Sequence, residues 1–298
     1  MSKQTLHETA PDAVQQFKHN LSLASASRSE TQRRDALSYL TSQLSANPPL
    51  NPVGTPTLLD KLLPLISDNS GPVRTQLLKL FRTLPETDVR NHAERAVMYV
   101  RAGMTHLSKD VNNDSLAVFD WLLDVAEDEA VACPGGWVKP IKSFCAMLGW
   151  TVAGSSNWSS APNAGLRTKD AQSHARQIAV LAKFLHAGLK PELPAPRNPS
   201  AYWDQLARVP RSPAPFAYLN LFTPKRDEDG EMYSDRESRQ RVFRARFFDV
   251  MSRQVERAKK EGGAPGRAAA ALDKVLEEGM SDYAAADAMD SRDLLDLW

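Results

Sequence analysis

Cysteine is nearly missing from this 298-residue chain: Cys133 and Cys145 are the two present. With no CxxC pair and no histidine at zinc spacing, they read as reduced thiols, which excludes a disulfide-stapled fold and a zinc module. An excess of either charge is missing too. Lys and Arg total 37 against 36 Asp and Glu. Binding to nucleic acid by overall charge is thereby excluded, so any such contact must come from a local patch. The longest apolar runs fall far short of a bilayer span, and no membrane partner is expected. The opening Met-Ser-Lys-Gln-Thr-Leu-His-Glu is not a signal peptide, which points to a cytosolic or nuclear protein in which the sequons at Asn113 and Asn157 carry no meaning.

Catalytic signatures are lacking as well. There is no Gly-rich phosphate loop, no GxSxG and no HExxH. The six histidines are His7, His19, His92, His106, His174 and His186. His106 lies near Asp110, but a histidine close to a helix end is the plainer reading. Cys145 has no histidine at a spacing that suggests a dyad. Pro134-Gly135-Gly136-Trp137 reads as a turn opening a helix, since it lacks the Lys and Ser/Thr of a phosphate cradle. Trp121, Trp137 and Trp150 sit beside apolar helical positions and read as core. The chain is therefore expected to be no enzyme, with no cofactor and no metal.

What is present is a repeat. Leu37, Leu40 and Leu44 fall at i, i+3, i+7, as do Leu77, Leu80, Leu84 and Leu116, Phe119, Leu123. The copies are spaced by about 40 residues, the HEAT/armadillo range. A fourth triplet, Ile178, Leu181 and Leu185, follows after one repeat plus a loop-like insertion, Gly154–Asn163. A first helix precedes each triplet: Ala13–Ala24, Thr57–Ile66, His92–Leu107 and Gly136–Trp150. The third has an amphipathic face of Ala93, Ala96, Val97, Val100, Met104 and Leu107. Asp12 marks one helix start, Thr57 after Pro56 another, and Asp110 precedes a turn at Asn113. Asp68-Asn69-Ser70-Gly71-Pro72-Val73-Arg74 joins two helices and is similar to the Asp…Val-Arg turn of a HEAT repeat. A two-helix unit cannot bury both faces, so several must stack. The expected fold is all-α, a HEAT/armadillo-like solenoid over 1–190.

Prolines crowd the next stretch, 191–230, among Tyr202, Trp203, Phe216, Tyr218 and Phe222. Helix cannot persist there, and the aromatics predict an ordered extended segment. A long basic amphipathic helix is expected over 231–262. Nine basic and three acidic residues lie between Arg236 and Lys260, with an apolar stripe of Phe243, Phe247, Val250, Met251 and Val255. On one continuous helix Arg239, Arg246, Arg253 and Arg257 would lie within about 40° of one another. With Phe243 and Phe247 they form the candidate partner-binding set, for an acidic surface or rRNA phosphates. The plainer alternatives are a solvated face, or an acidic tail folded back on the arginines within one chain. Gly262-Gly263-Ala264-Pro265-Gly266 breaks the helix. Over 263–298 a short helix gives way to an acidic tail ending Asp293-Leu294-Leu295-Asp296-Leu297-Trp298.

Two stretches, Met104–Asp110 and Asn113–Leu123, carry a resemblance to a known family, and Phe17–Ser25, Asn51–Pro56, Cys133–Trp137 and Asp235–Phe243 agree with it. The chain resembles the fungal pre-rRNA-processing Ipi-one family, armadillo/HEAT-like subunits of the Rix complex related to the animal testis-expressed-ten proteins. It departs from the family in lacking a Lys-rich start and in having Asn112 where Arg is usual. The resemblance implies a nuclear and nucleolar structural subunit in large ribosomal subunit biogenesis, needed for processing of the second internal transcribed spacer. The partners it implies are the Rix subunit, the WD-repeat Ipi subunit, the AAA ATPase midasin and the pre-ribosomal large subunit particle, with any rRNA contact weak or indirect. A karyopherin-like transport adaptor, or another solenoid protein-binding scaffold, is the alternative. A karyopherin would need many more repeats.

Overall fold

A computed structural model describes residues 12–150, 171–191 and 227–283. Every regular element among them is helical. The chain divides into two compact units, Met1–Glu129 and Ala130–Trp298. The expected segments at 151–170, 192–226 and 284–298 lie outside the described residues; they hold the Gly154–Asn163 insertion, the aromatics from Tyr202 to Phe222 and the acidic-apolar end. The division falls inside the 1–190 segment read as repeats, so the fourth helix pair belongs with the C-terminal helices.

The first unit begins with α1 (Ala13–Ala26), started by Asp12, whose carboxylate accepts from the Val14 amide at 3.3 Å. Ser29 starts α2 (Glu30–Leu44) by accepting from the Gln32 amide. Then come α3 (Thr55–Leu62), running into a 3-10 turn at Leu63–Ser67, α4 (Gly71–Phe81), α5 (Glu86–Asn91), α6 (Ala93–Met104) and α7 (Lys109–Val125). α8 (Glu127–Ala132) spans the division. Pro56 and Pro72 sit in the first turns of α3 and α4, where a missing N–H costs nothing. α1 packs on α2 and α6 on α7, while the second helices stack in the order α2, α4, α7. Their triplets form the seam: Leu37, Leu40, Leu77, Leu80, Leu116 and Phe119 are wholly buried. Each such side chain contributes about 1.5–3 kcal/mol of burial. Phe81 stacks on Trp121 at 5.4 Å across the seam.

Polar rungs run between neighbouring repeats. Arg33 pairs with Asp68, Gln76 donates to Thr41, Thr55 donates to Asp88, Arg74 pairs with Asp114, Arg90 donates to the Val125 carbonyl, and Arg95 pairs with Asp60. The partners lie 33 to 40 residues apart, so the apolar period is repeated in polar bonds. Two local expectations are corrected. α7 starts at Lys109, so Asn113 is helical and not in a turn. α6 ends at Met104, because Thr105 and His106 donate their amides back to Arg101 and Gly103; Leu107 therefore leaves the apolar face and is fully exposed.

The second unit contains α9 (Val138–Leu148), α10 (Ala171–Leu189), α11 (Arg236–Arg246), α12 (Phe248–Glu261) and α13 (Gly263–Met280). Its centre is Trp137, wholly buried at the start of α9. The indole lies 5.2 Å from the Phe184 ring and 6.3 Å from Phe243, and its Nε1 donates to the Arg239 carbonyl at 3.1 Å. A Cβ on Gly188 would lie 2.2 Å from the indole, so only glycine lets α10 approach it. α13 packs along α10, and Gly279 makes the same allowance for Leu189. Gly262 and Gly263 both have positive φ and separate α12 from α13.

Candidate interaction surfaces

The basic helices of the second unit hold all six candidate residues, and the structure distributes them differently from a single stripe. The expected long helix is two helices. The chain departs from helical geometry at Phe247 (φ −124°, ψ −32°), which ends α11 and begins α12. The break interrupts the angular phase that would align Arg239 and Arg246 with Arg253 and Arg257.

Arg239 is a core residue, 7% exposed. Its guanidinium donates to the carbonyls of Gly188, Tyr233 and Ser234 at 2.8–2.9 Å. A buried cation needs such partners, and here one backbone carbonyl at the end of α10 and two just before α11 supply them. Phe243 and Phe247 are equally buried, their rings 6.3 Å apart. As residues that touch a partner these three are corrected: they support the surface from within. Arg246 is mostly covered, 27% exposed, and paired with Asp229 at 2.7 Å. Arg253 and Arg257 do reach solvent; Arg253 donates to the Asp249 carbonyl and Arg257 pairs with Glu261.

Much of the basicity of this region is spent inside the chain. Arg236 donates to the Leu189 and Gly279 carbonyls and pairs with Asp282, whose carboxyl it holds down at about 2. Lys259 bridges Asp273 and Glu256, which push its ammonium well above the usual lysine range. Within the described residues, as far as Tyr283, the segment after α12 thus pairs with Lys259 and Arg236. Remaining outward are Arg241, Arg244, Arg253, Arg257 and Lys260. Arg244 also lies over the Phe248 ring at 4.4 Å, a cation–π contact.

An acidic clasp, which the sequence reading missed, covers the other side of Arg246. Asp227 pairs with Lys139, Asp229 pairs with Lys142 and Arg246, and the Glu231 carbonyl accepts from the Gly135 amide. The lysine hydrogen bond to Asp227 lowers its carboxyl. Burial opposes the same shift at Asp229, but hydrogen bonds from Lys142 and Arg246 overcome it. Spaced charges Lys139 and Lys142 were visible in α9; their partners, close to 90 residues away, were not.

Chemistry is sparse elsewhere. Burial pushes the Cys145 thiol up to about 12, which makes it inert. Burial lowers His174. No group of three metal-ligating side chains occurs among the described residues, and no described helix is long and apolar enough to cross a membrane. In the first unit the Asp68–Arg74 turn and the start of α7 frame a polar cleft of about 430 Å³.

Stacked helix pairs with cross-repeat polar rungs define an all-α helical-repeat protein. Comparison with known proteins gives the particular kind. A family model described as "Rix1 complex component involved in 60S ribosome maturation" matches residues 87–185. A "Pre-rRNA-processing protein IPI1" of Chaetomium thermophilum is 56% identical over 283 residues, covering 93% of this chain and 84% of the relative. That of Pyricularia oryzae is 51% identical over 297 residues, covering 95% and 86%, and that of Neurospora crassa 50% over 279, covering 90% and 79%. The chain belongs to the family of these pre-rRNA-processing proteins. A chain in a solved "Rix1-Rea1 pre-60S particle" aligns with TM-score 0.49 and 19% identity, over 69% of this chain and 76% of that one.

Proposed function

We propose that this protein is a structural, non-catalytic subunit of the Rix complex, acting on large ribosomal subunit precursors. The observation that carries the reading is 56% identity over 93% of the chain to a relative named for pre-rRNA processing. The description of the matching family model agrees. These names favour it over the transport-adaptor alternative. In this reading the protein works in the nucleolus and nucleoplasm, joins the Rix and WD-repeat subunits, and assists the AAA ATPase midasin on the pre-ribosome. Its loss delays processing of the second internal transcribed spacer. The outward arginines Arg253 and Arg257 meet an acidic partner surface or rRNA phosphates. Affinity purification with mass spectrometry tests the assembly, and probing pre-rRNA after depletion tests the processing step. Recovery without Rix-complex subunits, together with normal spacer processing, would refute the reading.

A further inference from the structure

The turn between α6 and α7 leaves Leu107 entirely in solvent, whereas Met98 and Met232 are each about half covered (51% and 52% exposed). A lone exposed leucine is ordinary; the surroundings of this one are not. The next residue, Ser108, lines the polar cleft. Asn69 faces it from the turn before α4, Gly71 and Arg74 from the start of α4, and Asp110 and Asp114 from α7.

Arg74 is a built element of that cleft. Its side chain is 5% exposed, with Nε 2.8 Å from Asp114 and Nη1 2.6 Å from the Asp68 carbonyl. Nη2 has no hydrogen-bond partner among the described residues. A Cβ on Gly71 would sit 3.5 Å from it, so the glycine leaves Nη2 room for an incoming acceptor. The guanidinium is held from behind by Asp114 and the Asp68 carbonyl, and its Nη2 can exchange water for an incoming acceptor. Charge indicates the rest. Asp114 neutralises Arg74, so the unbalanced charge is Asp110, an exposed carboxylate with no ion pair among the described residues. A phosphate would meet both carboxylates.

We propose that Leu107 and this cleft dock an extended peptide segment of a partner protein. The segment lays an aliphatic side chain on Leu107, places a lysine or arginine at Asp110, and offers a main-chain carbonyl to Nη2 of Arg74. Peptide docking of this kind combines main-chain hydrogen bonds for affinity with side-chain contacts for specificity.

The test uses the full chain and three probes: a capped peptide of alternating leucine and lysine, its glutamate counterpart, and a uridine 20-mer. Binding is read from backbone amide resonances of Leu107–Asp114 and by fluorescence anisotropy. The leucine–lysine peptide is expected to shift those resonances and to bind about tenfold more tightly than the glutamate peptide, and Asp110→Arg should reverse that preference. Leu107→Ser should weaken both peptides about fivefold while leaving the melting temperature unchanged. No shift at Leu107–Asp114 with the lysine peptide at millimolar concentration overturns the proposal, as does an unchanged preference in Asp110→Arg. Displacement of the same resonances by the uridine 20-mer would make the cleft an RNA site instead. None of the probes is a Rix-complex subunit, so failure here leaves the assembly reading untouched.

Discussion

The two units solve the burial problem in opposite ways. Met1–Glu129 uses one device several times: a buried apolar triplet on, or in the case of Leu84 just past, each second helix, joined to the next repeat by a polar rung. Ala130–Trp298 uses each of its devices once: one tryptophan at the centre, one glycine admitting it, one buried arginine on three carbonyls. A repeated device spreads stability over many equivalent contacts, as expected where each unit touches only its neighbours. A singular device concentrates it, so the cost of a substitution should depend on the unit it falls in as much as on what it removes.

The sharpest break is a charge in the seam of the first unit. Leu80→Asp or Phe119→Asp should cost about 3–5 kcal/mol, because a lone buried carboxylate finds no partner there. Amide exchange should show α2, α4 and α7 opening; wild-type melting in both variants would overturn the repeat assignment. Next comes Arg239→Met, which leaves three carbonyls of the second unit without a donor and should cost about 2–3 kcal/mol by chemical denaturation. Removing one rung of the first unit, Thr55→Val, should cost only about 1 kcal/mol, since its neighbours remain. Equal losses for Arg239→Met and Thr55→Val would erase the contrast between singular and repeated devices.

A smaller effect is set by pH. The Arg236 hydrogen bond depresses Asp282 from 3.8 to about 2. Its contribution is therefore complete above about pH 4 and is lost as pH falls toward about 2. Asp282 is more than half exposed, so solvent screening holds that contribution to roughly 1 kcal/mol or less. Asp282→Asn should lower stability above pH 4 and flatten the acid slope, measured by denaturation at several pH values. Least of all, Arg253→Glu with Arg257→Glu should change stability by under about 0.5 kcal/mol, yet weaken association with the Rix complex. A folded double variant that keeps this association would make these arginines a solvated face.

The sequence was most legible where the pattern repeats. All four triplets are buried, including Ile178, Leu181 and Leu185, and the first helices lie within a few residues of their expected bounds. The turn at Pro134–Trp137 and the break at Gly262-Gly263 were legible because glycine marks them. Period counting could not see the interruption at Phe247, since apolar spacing continues across it while the backbone does not. Nor could it tell Arg239 from Arg253. Both stand on basic helices, and the difference lies in backbone carbonyls that accept from Arg239, one of them on a residue 51 positions away. The exposed Leu107 was misplaced for a related reason: spacing extended a helix that Thr105 and His106 had already closed.

The bonds from Arg236 and Arg239 back to Leu189 and Gly188 have a consequence for how this protein can vary. They tie the point where the chain leaves α10 to the point where it enters α11. These two arginines are therefore the positions at which the unit can least tolerate change, because losing either guanidinium frees the end of α10 and the start of α11 at once.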